Sequence, residues 1–245
     1  MPINNNRART EMKLNMKKLM LLSALLMIGL NAASILAQNS KYPPLSEYLM
    51  SRDAEMSLAR SAAPANISDR ATIKVLTTSG YQVARTGDNG FVCLVMRGWS
   101  APTYTPMPFR DLVYDAKVRA PICFDRKAAR TVMPYYELRS KLGMAGKTPD
   151  QIAEGLQAAY VKGELPKRGG VSFAYMWSAD QHLATGIGHW HPHLMVFCPY
   201  YENAMLGGNE PGGPLPQVTD DAGTPFAVIV IPVDDKLAIK VQPQK

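Results

Sequence analysis

All four histidines of the chain, His182, His189, His191 and His193, fall within twelve residues, and three alternate in the run His189-Trp190-His191-Pro192-His193. Imidazole is the commonest transition-metal ligand among side chains and titrates near neutrality, so this run could hold a metal ion, move protons or respond to pH. In an extended segment alternate residues face one side, which places the backbones of His189 and His191 about 7 Å apart, close enough for both rings to share an ion. His189 and His193 would stand about 13 Å apart unless Pro192 bends the chain. A zinc or copper site would need further ligands, and His182, Asp180, Glu202 and Met195 are the nearest in sequence. The spacing matches no common metal pattern: there is no H-E-x-x-H, no C-x-x-C, and no glutamate three or four residues after the H-x-H pair as in a cupin.

A plainer reading competes with the metal site and is the one the residue types favour. His193 shares a strand face with Met195 and Phe197, as a hydrogen-bonded histidine at the edge of the core would, while His189 and His191 are solvated loop residues. A catalytic acid or base ranks below both. Trp190 falls on the opposite face of an extended strand and, with Trp177 and Tyr200-Tyr201, could line a ligand pocket, although core or interface packing suits such rings better. Met176, Met195 and Met205 resemble soft copper ligands but more often fill core space. Gly170 to Ala174 lacks the last glycine of a nucleophile elbow, and Gly186-Ile187-Gly188 is only the opening of a dinucleotide loop. Asp220-Asp221 and Asp234-Asp235 flank turn-like segments, where solvated aspartates are expected.

The elements that must position these residues are readable in outline. Leu45 to Ala62 reads as a helix with Pro43-Pro44 at its start and Pro64 beyond its end. Thr72 to Leu76, Tyr81 to Arg85 and Phe91 to Met96 read as an antiparallel meander, with Asn89-Gly90 as a hairpin signal. Gly98 to Pro121 is expected to wrap the surface. Asp125 can cap a helix running through Ala129 and Val132 that Pro134 should kink or divide. A second helix has Thr148 as its cap, Pro149 and Asp150 in its first turn and Gly163 as its stop. Val171 to Trp177, His193 to Cys198 and Phe226 to Val233 read as strands, the last two apolar on both faces and therefore central. Gly207 to Pro216 is a glycine and proline loop. The resulting expectation is a single α+β domain, mainly antiparallel sheet with helices packed on one face.

The start of the chain sets the compartment. Lys13, Lys17 and Lys18 precede an apolar run from Leu19 to Leu30, followed by a small-residue tail ending at Ala37, which is the outline of a cleaved secretory signal. Cutting is expected after Ala37, or alternatively after Ser34, and an internal start at Met12 or Met16 would put the lysines directly before the apolar run. Residues 1–37 are then the signal and 38–245 a single exported globular domain, periplasmic or extracellular, with no stable membrane anchor after cleavage. A retained membrane helix over Leu19 to Ala37 is the alternative. The formal charge of +7 is concentrated in this leader, where Arg7, Arg9, Lys13, Lys17 and Lys18 face only Glu11. The remainder has a modest positive excess without basic runs, so no nucleic-acid partner is expected. In an oxidising compartment Cys93 and Cys123 are expected to pair, leaving Cys198 as a small buried hydrophobe, with three unpaired thiols as the alternative.

The blocks Leu58-Ala59-Arg60-Ser61-Ala62-Ala63-Pro64, Asn89-Gly90-Phe91-Val92-Cys93-Leu94-Val95, and Trp190 with Pro192-His193-Leu194-Met195 resemble a family of exported bacterial proteins with no established activity. The resemblance covers nearly all of the chain beyond the leader. It implies an envelope or secreted setting and assigns no catalytic residue. The functional expectation is an exported, non-catalytic binding or envelope protein; the alternative is a metal-dependent hydrolase using His189 and His191 as ligands.

Overall fold

Short amphipathic helices and β-rich runs meet in a sheet whose strand order differs from their order in the sequence. The structure, a computed structural model, describes residues 42–100, 114–183, 190–209 and 212–241. The leader and His189 lie outside the described residues. Pro43–Lys245 forms one compact unit, an α+β domain. Its strands are β1 (Thr72–Thr77), β2 (Gly80–Arg85), β3 (Val92–Met96), β4 (Ala120–Phe124), β5 (Ser172–Met176), β6 (His193–Phe197), β7 (Gln217–Asp220) and β8 (Val228–Pro232). They form one sheet in the order β2-β1-β3-β4-β5-β6-β8-β7, antiparallel except where β1 meets β3. The helices are α1 (Leu45–Tyr48), α2 (Arg52–Arg60), α3 (Ala65–Ser68), α4 (Ala128–Thr131), α5 (Met133–Met144) and α6 (Pro149–Val161). Among the described residues, no helix is long and apolar enough to cross a membrane.

The two longest helices share one face of the sheet. Tyr136 of α5 lies 5.7 Å from the Phe124 ring, Glu137 of α5 pairs with Lys74, and α6 packs on α5 where Leu142 meets Gly155. The shorter α2 lies on the opposite face, where Leu58, Ala59 and the following Ala62 pack with Ile73, Cys93, Val95 and Cys123. A cover on both faces is what β3 and β4 require, because β4 is buried at every position and β3 at all but its first. The bridge between Cys93 and Cys123 sits in this layer, joining residues directly opposite on β3 and β4.

Three departures from the sequence expectation have physical causes. The expected first helix is broken at Leu49, because the carbonyl of Tyr48, which a continuous helix would use, instead accepts from Nε of the buried Arg97 at 2.6 Å. Ser51 then caps α2 by accepting from the Ala54 amide. The expected meander is absent: β3 pairs with β1 rather than β2, so the segment after β2 must cross the start of β1. Gly87 permits the crossing, since a Cβ there would lie 2.2 Å from the Arg70 carbonyl oxygen, and Asn89 holds the loop by donating to the Ile67 carbonyl. The third departure is β4, whose Pro121 falls in the stretch expected to be surface loop. The Asp125 amide donates to Phe173 of β5, so alternate nitrogens of β4, that of Pro121 included, point toward β5. Strand β5 pairs only with Cys123 and Phe124, so no ladder bond is lost at the proline.

Candidate functional site

The histidine run enters the fold at the start of β6, which begins only at His193, where that residue pairs with Pro232 of β8. The preceding residues are not strand. The buried Gln181 donates from Nε2 to the carbonyls of Trp190 and His191 at 2.7 and 3.2 Å, and Val233 donates to the Pro192 carbonyl. This clamp overrides the alternation expected of an extended segment. The Trp190 ring lies 4.8 Å from the His193 ring, on its side rather than on the opposite face.

Each described histidine has a defined environment. His193 is 3% exposed, and its Nδ1–H donates to the His191 carbonyl at 2.7 Å. Burial pulls its pKa down to about 4 despite that bond, so the ring is neutral at pH 7. His191 is half exposed, with Nδ1 2.7 Å from the Asp235 carboxylate. Asp235 is thus a solvated aspartate, as expected, but has a partner. His182 forms a backbone bridge with Arg119, and its Nε2 is buried without a hydrogen-bond partner among the described residues. Among the described residues, no group of three or more His, Cys, Asp or Glu side chains could hold a metal ion. Met176 and Met195 are core residues, whereas Met205 is exposed.

The His193 ring gives stability a pH dependence with a definite sign. The unfolded chain takes up this proton near the ordinary value of 6.5, whereas the folded protein refuses it until about pH 4. Its contribution is therefore intact above about pH 6.5 and declines as pH falls toward about 4, by about 3 kcal/mol in total. Urea unfolding at pH 7 and pH 4.5 is expected to show this loss in the natural protein and not in His193→Gln; equal losses in both would refute the assignment.

A second constellation was not legible as a site in the sequence. Tyr135, Tyr136 and Arg139 project from α5, Arg168 comes from the segment before β5, and Phe226 and Asp221 come from the chain leading into β8. Arg139 is 2% exposed, donates from Nη2 to the Tyr135 hydroxyl at 2.6 Å, and lies 4.9 and 5.7 Å from the Tyr135 and Tyr136 ring centres. Arg168 lies 4.9 Å from Tyr135, 4.6 Å from Phe226 and 5.7 Å from Phe197. Burial raises the Tyr135 hydroxyl well above its ordinary range and lowers Arg168. Asp221, expected to be a solvated turn residue, is instead 6% exposed and holds a φ of 53°. Non-glycine residues rarely adopt that conformation, and such residues concentrate at functional sites. The sequence signal was faint: two tyrosines and an arginine at helical spacing on a helix with no clean apolar stripe.

No family model, curated protein or solved structure matches this chain.

Proposed function

We propose that this is an exported protein whose domain acts in the periplasm or outside the cell by binding, without catalysing a reaction. The observation that carries the reading is the bridge between Cys93 and Cys123, both fully buried at the centre of the sheet. Structural disulfides persist in oxidising compartments and are rare where thiols are kept reduced. The lysine-led apolar leader supports the same compartment. The engagement of His193 in the core supports a structural role for part of the histidine run.

Cell fractionation followed by N-terminal sequencing tests export. The expected product comes from the periplasm or medium and starts at Gln38, or at Ile35 for the alternative cut. Recovery from the cytosol with Leu19 to Leu30 still attached would sink the reading.

One observation favours the metal-dependent hydrolase as a second reading. Asp235 holds His191 through Nδ1, the arrangement by which carboxylates orient metal-ligating histidines, and His189 would be the partner ligand. Elemental analysis of untagged protein from its native compartment decides the matter. Stoichiometric zinc or copper that is lost in the double variant His189→Ala/His191→Ala supports this reading; metal-free protein ends it.

A further inference from the structure

We propose that Arg168 anchors a binding site for an oxyanion, the carboxylate or phosphate group of a small ligand. The inference goes beyond the exported binding role and does not depend on the compartment. Three rings fix the guanidinium, those of Phe226, Tyr135 and Phe197, with centres 4.6, 4.9 and 5.7 Å from Cζ. Rings orient an arginine without using its N–H donors, and a rigid planar fork is the geometry that grips a carboxylate or phosphate through two parallel bonds. Those donors remain largely unspent. Nη1 donates to the Phe226 carbonyl at 3.4 Å, the long end of the hydrogen-bond range, and Nε is buried with no hydrogen-bond partner among the described residues.

Charge balance points the same way. Arg168 makes no ion pair among the described residues; Asp221 acts on it through space, and the same carboxylate acts on Arg139. A guanidinium taken largely out of water without an ion pair is costly unless its charge is compensated. An anion arriving from solvent would supply the missing charge.

The neighbouring backbone adds to the site. Arg168 is followed by Gly169 and Gly170, whose amides make no hydrogen bond to other described residues. Gly170 has a φ of 62°, and a Cβ there would lie 2.9 Å from the Lys127 ammonium, so glycine is what lets this second cation approach the chain. Lys127 likewise makes no ion pair among the described residues. A ring-fixed guanidinium, two following amides with no partner among the described residues, and an ammonium beside Gly170 favour an oxyanion over a neutral or cationic ligand.

The test is titration of the full exported chain, at low ionic strength, with inorganic phosphate and separately with acetate, followed by calorimetry and by the amide NMR signals of Gly169 and Gly170. Saturable binding of at least one anion in the millimolar range or tighter is expected, with those two signals moving. Phosphate alone would assign the site to phosphorylated ligands, and acetate alone to carboxylates. Arg168→Gln is expected to abolish binding. Arg168→Lys keeps the charge but loses the fork, and should weaken binding by about ten-fold or more while preserving the dispersed spectrum. The lysine variant decides the outcome if the glutamine variant does not fold. Failure of both anions to saturate, or unchanged affinity in Arg168→Lys, overturns the proposal.

Discussion

Replacing Arg97 with alanine is expected to lower the unfolding free energy by about 3–5 kcal/mol, the range typical of breaking a buried ion pair from one side. Arg97 and Glu55 are both completely buried, with Nη2 2.8 Å from Oε2. That approach lies off the hydrogen-bond axis, so the attraction is chiefly coulombic. The aligned bonds run elsewhere: Glu55 accepts the Leu76 amide at 3.0 Å, and Arg97 donates to the carbonyls of Tyr48 and Val95. One pair thereby ties α1 and α2 to β1 and β3. Burial pushes the Glu55 carboxyl up against the pull of Arg97, so removing the guanidinium takes away the largest interaction that keeps this carboxyl ionised. The double variant Glu55→Met/Arg97→Met should be less destabilised than the two single methionine variants combined, by about 1 kcal/mol or more, because neither charge is left alone. Denaturant titration of the series checks this. A loss below about 1 kcal/mol for Arg97→Ala, or strictly additive methionine variants, would refute the assignment.

The second large effect concerns the disulfide. Cys93 and Cys123 are 30 residues apart, and closing a loop of that length is worth about 3–4 kcal/mol through the unfolded chain. In a domain of this size each kcal/mol moves the midpoint by about 2–4 °C, so Cys93→Ala/Cys123→Ala should unfold about 6–16 °C lower. The expected reading comes from thermal denaturation followed by circular dichroism, with non-reducing peptide mapping of the natural protein to find the linked fragments. Three free thiols in exported protein, or a midpoint within about 2 °C of the natural one, would remove the bridge from the account of both stability and compartment.

Sequence reading succeeded where the governing forces act within a few residues. Helix α6 begins with Thr148 as a reciprocal cap with Gln151, carries Pro149 in its first turn and stops at Gly163, whose φ is 75°. Asp125 caps α4 through the Ala128 amide at 2.6 Å, and the division expected at Pro134 occurs, with α5 starting one residue before it. Strands β5, β6 and β8 were legible from their β-rich, apolar runs; β5 and β6 alternate buried with half-buried positions, and β8 is buried at its first three. Strand β4 was not, since Pro121 and the polar, proline-rich stretch before it outweighed five residues that read as strand only beside β3. Strand β7 was missed because Gln217 to Asp220 has no apolar run and is recruited by pairing with β8.

The residues by themselves determined the caps of α4 and α6, most of the helices and strands though not β4 or β7, that the fold is α+β, and that all four histidines lie in one short run. Strand order was decided only in three dimensions, because β3 could sit beside β2 or beyond β1 and the close pass of Gly87 over Arg70 selects the second. Which charges meet was decided there as well. Glu55 finds Arg97, His191 finds Asp235, and Arg168 reaches Tyr135 across large gaps in the chain. Local pattern carries no information about such pairings, since electrostatic and packing energies depend on distance in space and the sheet sets that distance.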